Sequence, residues 1–368
     1  MELVGHDDLQ GRSAYQPTIH QQRGRVIAYV GHHGGRARNP LTGRDEDNGT
    51  SIVDATDPSK PRLEKTIGDF VAKSGGVVGP HTLYAMPGRM MITGLSNHKD
   101  HGGATALVEY SNKGEYVATH WIPTKARPGG ATIESVADGY GYDVRVLPRR
   151  NVMLTSSFTG WSNYMMDFGT MLQDAEAMKR FGQTVVVWDL HARQPRSVLN
   201  VPGAPLEIRF AWGARSNYAF TSTALTSKLW LIREENPGVW KAKAVADIGD
   251  PAKVPLPVDI SDPDHPKQVY EKKIGSQLNM VSQSWDGKRV YFTSSLLANW
   301  DKKGKDDEQF LKAYNWDGKE LTPAFAIDFY AEKLGRPHIM HFGAASLYGK
   351  TASAAVPTGA TAAGHAGK

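Results

Sequence analysis

The chain has 368 residues, 22% of them charged and 40% hydrophobic, enough for a sizeable core in one large domain or two ordinary ones. Its net charge of +5 comes with no basic stripe interleaved with aromatics, which argues against nucleic acid, and no apolar run approaches the ~20 residues of a membrane span. With no cysteine, disulfides, thiolate ligands, cysteine nucleophiles and iron–sulfur clusters are excluded; a transition metal would need His, Asp, Glu, Met or backbone oxygen, and 13 histidines and 11 methionines are present.

The start, MELVGHDDLQ, carries no signal-peptide apolar core. Short runs rich in β-branched and aromatic residues then recur: RVIAYVG (25–31), TSIVDAT (50–56), RMMITGLS (89–96), TALVEYS (105–111), NVMLTSSF (151–158), TVVVWDL (184–190), YAFTSTA (218–224), KLWLIRE (228–234), RVYFTSS (289–295) and KAYNWD (312–317). Each is bounded by Gly, Pro, Asn or Asp, and the 38 glycines and 21 prolines are spread along the whole chain, which favours short strands over long helices. WDGK at 285–288 and again at 316–319 reads as an Asp-Gly hairpin turn.

SIVDATDPSKPRLEKTIG (51–68) is echoed by LPVDISDPDHPKQVYEKKIG (256–275), both of the form V-D-x-[ST]-D-P-x-x-P followed by a polar strand. A repeated unit of this kind predicts an all-β β-propeller, whose four-stranded blades take roughly 40–50 residues each, leaving room for six or seven. A pair of β-sandwiches is the structural runner-up. The segment 168–182, FGTMLQDAEAMKRFG, is the best helix candidate, with Met171, Leu172, Ala175 and Met178 on one face, and reads as a short helical insertion. One propeller domain over 1–349 and a low-complexity, mobile tail over 350–368, which includes His365, complete the expected organisation.

His32 and His33 close the first run, before Gly34 and Gly35. Neighbours on a strand point to opposite faces, so they share a site only if the chain bends there. A metal site and a polar pair beside a turn are both open on this pattern. His98 and His101 (SNHKDHGG) have metal-like spacing but read as a solvated loop, and His120, His191 and His265 read as structural or surface residues. Glu207 and Arg209 in PLEIRF share one face of a strand and read as a blade-stabilising pair. Met90 and Met91 sit inside a strand pattern and read as core rather than as thioether ligands.

YGYDVRVLPRRNVMLTSSF (140–158), VVVWDLHARQPRSVLNV (185–201), PLEIRFAW (205–212) and DGKRVYFTSSLLANWDKK (286–303) resemble, in order, segments of the selenium-binding protein family, over roughly residues 75 to 345. The first 60 or so residues also resemble LVIVD-repeat propeller proteins. The resemblance implies a seven-bladed β-propeller. Bacterial members of the family include methanethiol oxidases, implied to hold copper through an adjacent His-His pair, a histidine in a G-P-H-T segment and a late histidine. His32 and His33, His81 of GPHTLYAMP, and His341 of GRPHIMHFG (or His338) match those positions. The implied activity converts methanethiol, O2 and water to formaldehyde, hydrogen sulfide and hydrogen peroxide, with the small thiol and O2 as partners and no nucleic acid or membrane. Tyr84, Tyr142 and Asp143 are candidate hydrogen-bonding or proton-transfer groups at the metal. The alternative is a non-catalytic metal-binding or interaction propeller of the same family. A periplasmic location is expected, with the cytoplasm as the alternative.

Three departures from the family pattern stand out. Tyr84 and Ala85 replace the second histidine and the cysteine of the G-P-H-T segment, no cysteine is present to bind selenium, and about half a blade is missing between KAVADIGD and PVDISDPDHP.

Overall fold

The computed structural model describes residues 3–33, 36–39, 41–47, 49–76, 79–96, 101–127, 135–211, 213, 215–248, 258–275, 277–297, 300–301 and 303–342. His98 and the tail 350–368 lie outside them. The chain divides into two compact units, Met1–Ala211 with Ser216–Ala244, and Trp212–Arg215 with Val245–Lys368.

Four antiparallel four-stranded sheets build the first unit. In the first, β1 (Tyr15–Gln22) and β2 (Arg25–Gly31) precede a separate hairpin, β3 (Arg36–Asn39) and β4 (Arg44–Asp47); β5 (Thr50–Asp54) and β6 (Arg62–Ile67) then complete the order β1-β2-β5-β6. After a helical turn, α1 (Phe70–Lys73), come β7 (Gly79–Met86), β8 (Arg89–Leu95), β9 (Ala106–Ser111) and β10 (Tyr116–Trp121). The third sheet holds β11 (Gly141–Leu147), β12 (Val152–Ser157), β13 (Thr184–Asp189) and β14 (Gln194–Asn200), with α2 (Trp161–Tyr164), α3 (Phe168–Gln173) and α4 (Ala175–Met178) inserted between β12 and β13. The fourth holds β15 (Pro205–Phe210), β16 (Tyr218–Thr223), β17 (Lys228–Asn236) and β18 (Val239–Asp247).

The second unit contains a two-stranded pair, β19 (Val258–Asp259) and β20 (Lys267–Gln268), then a four-stranded sheet of β21 (Val281–Gln283), β22 (Arg289–Thr293), β23 (Phe310–Trp316) and β24 (Leu321–Asp328). Five four-stranded sheets are thus present among the described residues, each an up-and-down blade of the β-propeller type. No described helix is long and apolar enough to cross a membrane.

Both WDGK stretches are hairpin turns. Gly287 (φ 71°) and Gly318 (φ 93°) take the left-handed conformation, and Asp286 and Asp317 accept the backbone N–H groups of Lys288 and Lys319.

The core lies between neighbouring sheets. Met90 joins Ile27, Tyr29, Ile52 and Tyr110 between the first and second; Met91, the next residue, joins Val144, Met153 and Trp188 between the second and third. Alternation along β8 sends the two side chains to opposite faces, and both are fully buried, as core methionines rather than ligands. Burying each contributes about 1.5–3 kcal/mol.

The first strands of successive sheets lie side by side, β1 with β7, β7 with β11 and β11 with β15. Each of these four pairs with its second strand through a register shift near its start, between Tyr15 and Thr18, Pro80 and Leu83, Gly141 and Val144, and Pro205 and Ile208. Such bulges re-aim side chains.

The helical insertion is shorter-stepped than the sequence pattern suggests. Asp174 accepts the N–H groups of Glu176 and Ala177 and starts a new helix, so the apolar face does not run through. Met171 and Ala177 are buried, whereas Leu172 and Ala175 are exposed.

Candidate functional site

The bulged ends of β1, β7, β11 and β15 place Tyr15, Gln16, His81, Thr82, Tyr142, Asp143 and Glu207 in one region of the first unit. His81 is fully buried. Its Nδ1 lies 3.0 Å from the Tyr142 carbonyl and 3.1 Å from the Thr82 hydroxyl, and its Nε2 lies 3.0 Å from the Tyr15 hydroxyl. A carbonyl can only accept, so Nδ1 carries the proton and Nε2 presents its lone pair. A metal-binding imidazole is commonly oriented by such a second bond.

His33 faces the same place. Its ring packs against Tyr15, tilted by 32° with centroids 3.8 Å apart, and is stacked toward His81 at 5.8 Å and 23°. Trp161 and Tyr164 meet it edge-on at 6.1 and 5.9 Å. Phe158 contacts Tyr164 (5.8 Å) and Tyr142 (5.0 Å), and Tyr142 lies 3.8 Å from His81. His33, Tyr164, Phe158, Tyr142 and His81 therefore form a closed aromatic ring of contacts, with Tyr15 against both histidines. Burial pushes the hydroxyls of Tyr15, Tyr142 and Tyr164 upward, so all three are neutral phenols.

His32 points elsewhere. Its Nδ1 lies 2.6 Å from the Ser13 carbonyl and its Nε2 2.8 Å from the Ser51 hydroxyl, inside its own sheet. Burial lowers its pKa to about 4 and keeps it neutral. The strand alternation that separates adjacent residues thus operates here, and the pair does not converge.

Below the histidines lies a polar cluster. Gln16, held at φ 42° and buried, donates to Glu207 (2.7 Å) and accepts from Thr82 (3.3 Å). Enclosure by protein atoms raises the Glu207 carboxyl above its usual range. Asp143, fully buried, accepts the N–H of Ile208 at 2.7 Å and pairs with Arg145 at 3.0 Å and Arg209 at 3.6 Å. It ties β11 to β15. Tyr84 lies under the Arg145 guanidinium, 5.7 Å from its ring centre, and burial raises its pKa. Glu207 and Arg209 share a face, as their spacing requires, but Glu207 bonds Gln16 and Arg209 pairs with Asp143.

Of the other histidines, His120 is 2.8 Å from the buried Glu109, His101 is exposed and meets the Lys179 carbonyl, and His191 and His265 are exposed. In the second unit His341 is exposed, whereas His338 is half-buried, its Nδ1 2.9 Å from both the Ser295 carbonyl and the Asn279 amide.

Two imidazoles on one ion, each with a bond near 2.0–2.1 Å, have centroids within about 6 Å of each other. His33 and His81 satisfy that, and soft-to-borderline metals such as copper suit imidazole. Among the described residues no three His, Asp or Glu side chains are grouped to hold a metal. Thr82 and Phe158 lie in segments that resemble the family but were not singled out, and Tyr15, Gln16, Trp161 and Tyr164 carry no motif that marks them in the sequence; only the adjacency of Trp161 and Tyr164 to the helical insertion hints at a site.

Residues 45–259 match the family model of the 56kDa selenium binding protein. A methanethiol oxidase of Ruegeria pomeroyi is 62% identical over 363 residues, covering 89% of this chain and 83% of that protein. A methanethiol oxidase of a Hyphomicrobium species is 54% identical over 324 residues, covering 82% and 72%, and one of Homo sapiens 27% identical over 373 residues, covering 79% and 75%. The crystal structure of a hypothetical selenium-binding protein from Sulfolobus tokodaii superposes with a TM-score of 0.63 at 19% identity, covering 82% of this chain and 75% of that one, which shows the shared fold, an all-β β-propeller. The chain belongs to the selenium-binding protein family.

Proposed function

We propose that this protein is a methanethiol oxidase, converting methanethiol, O2 and water to formaldehyde, hydrogen sulfide and hydrogen peroxide. The observation that carries this reading is the pairing of His33 with His81 inside an aromatic enclosure, in a chain 62% identical to a methanethiol oxidase. Copper bound by these two histidines would supply thiolate binding and one-electron chemistry with O2. His81 is the better prepared of the two, because the Tyr142 carbonyl fixes its tautomer. The Tyr15 hydroxyl donates to Nε2 of His81, so a metal on that nitrogen would displace this hydrogen bond and leave the Tyr15 proton beside the site. Phe158, Tyr164 and Trp161 exclude water and offer ring faces to the methyl group and sulfur, a contact worth about 0.3–1.5 kcal/mol. Asp143 and Tyr84 act through position, Asp143 by fixing the strand that carries Tyr142.

Six blades fit this chain best. β19–β20 begins with the same V-D-x-[ST]-D-P motif as β5–β6, so it corresponds to the outer half of a further blade. A periplasmic location suits a cysteine-free chain, which an oxidising compartment cannot cross-link.

Elemental analysis of the purified protein, followed by measurement of hydrogen sulfide released from methanethiol under air, tests the reading. Bound copper with sulfide release is expected. Copper-loaded protein that leaves methanethiol intact overturns it.

A further inference from the structure

Trp161 stands apart from the rest of the aromatic enclosure. Tyr15, His81, Tyr142, Phe158 and Tyr164 are buried, whereas Trp161, like His33, is half-buried, and Trp161 comes from the insertion between β12 and β13, not from an inner strand. Its ring is edge-on to His33 at 6.1 Å and nearly parallel to Tyr164 at 6.1 Å.

This position is fixed from several directions. The backbone N–H of Trp161 donates to the Ser96 carbonyl at 2.6 Å and anchors the residue's main chain. The fully buried Asn163 amide donates to the Thr159 hydroxyl and the Ala177 carbonyl, its oxygen accepts from Arg180, and Gly160 and Gly182 bond across the base of the insertion. On the far side the indole fills the space where Gly79 lacks a side chain; a Cβ there would lie 2.9 Å from the ring. The indole is therefore packed against the backbone of β7, two residues before His81, with little freedom to withdraw.

We propose that Trp161 limits the substrate to the smallest thiols, by closing the exposed side of the space over His33. The inference rests on the thiol-oxidase reading above. Tyr15 packs tilted against His33 at 3.8 Å and blocks approach from that direction, which leaves the side bounded by Trp161 and Tyr164 for a thiol. A methyl group is the smallest alkyl a thiol can carry. Each added methylene has to displace an indole that packs on Gly79 and whose main chain Ser96 anchors, and a methylene in a tight apolar pocket changes kcat/KM about 10–200-fold.

The test is a series of methanethiol, ethanethiol and 1-propanethiol, with hydrogen sulfide release measured for the wild-type protein and for Trp161→Ala and Trp161→Phe. The wild type is expected to prefer methanethiol. Trp161→Ala should raise the kcat/KM ratio of propanethiol to methanethiol at least tenfold, and Trp161→Phe by less. Should the alanine protein not fold, the phenylalanine protein carries the comparison, since the readout is a ratio and not an absolute rate. An unchanged ratio, whether all rates persist or all fall together, gives Trp161 a structural role only and overturns the inference. A wild-type protein that oxidises none of the thiols is a different result: it overturns the thiol-oxidase reading itself, and the size filter with it.

Discussion

Replacing Glu109 by glutamine should destabilise the protein by about 3 kcal/mol without touching the aromatic site. Glu109 lies on β9 and is 5% exposed. Its carboxylate meets His120 at 2.8 Å, Arg193 at 3.0 Å and Arg89 at 3.4 Å. Arg193 belongs to the turn between β13 and β14, so this one group ties the second sheet to the third. Burial on its own would raise the carboxyl; the hydrogen bonds from His120 and Arg193 outweigh it and bring the pKa from 4.5 to about 2. At 1.36 kcal/mol per pH unit, that difference corresponds to about 3 kcal/mol favouring the folded state at neutral pH. Because the folded value is the lower one, this stability is complete above pH 4.5 and is lost as pH falls from there toward 2. Glutamine keeps the shape and removes the charge, leaving the half-buried Arg193 and the exposed Arg89 facing a neutral amide. For a unit of this size the melting temperature should fall by roughly 6–12 °C at pH 7, as followed by far-UV circular dichroism. The gap between variant and wild type should then narrow below pH 4.5. A fall under about 2 °C at pH 7, or a gap that does not depend on pH, would refute the reasoning.

The site makes two further predictions. His81→Ala should lose most bound copper at saturation while His32→Ala keeps it; instead, His32→Ala should cost about 1–3 kcal/mol in urea unfolding, since the Ser13 carbonyl and Ser51 hydroxyl lose their partner. Equal copper loss in the two variants would show that His32 turns into the site when metal binds. Gly141→Ala should impair both stability and turnover, because its Cβ would lie 2.7 Å from the Gly94 carbonyl oxygen, and the strand that would have to move carries Tyr142; full activity with an unchanged melting temperature would contradict this.

The strands visible in the sequence are the middle two of each four-stranded sheet: β2 and β5, β8 and β9, β12 and β13, β16 and β17, β22 and β23. β8, β9, β12 and β13 contribute to apolar clusters on both faces, so their runs are continuous. Of the strands that build the site, PLEIRF was legible as one, and β1, β7 and β11 escaped for a physical reason. YQPTIHQQ, GPHTLYAM and GYDVRVL carry polar residues at their inner ends, and the bulge there interrupts the two-residue period on which a strand is recognised. His81, Tyr142 and Asp143 were therefore reachable only through the family resemblance, and strand geometry left open whether His32 and His33 converge; the resemblance put both at the metal, whereas His32 bonds Ser13 and Ser51 instead. The helical insertion was visible as a helix, but not the break at Asp174, where a capping side chain resets the register. Trp161 was invisible because its importance lies in contacts with Gly79, Ser96 and His33, all more than sixty residues away.

The repeated bulge also explains how one place can gather Tyr15, His81, Tyr142 and Glu207 from positions so far apart in the chain. Each residue sits at or beside the same irregularity at the start of the first strand of its own sheet, and the first strands lie side by side. The large apolar clusters lie between the sheets and include none of these four residues. The inner ends can then carry strained or polar residues, such as Gln16 at φ 42° and the enclosed Glu207 carboxyl, at a cost borne by the packing behind them. The same separation predicts where variation should be tolerated. Substitutions at Met90, Met91 or Trp188 should alter stability before activity, and those at His81, Tyr142 or Trp161 should alter activity before stability. A propeller of this kind fixes the positions of its site through repetition and leaves the chemistry to the side chains placed there.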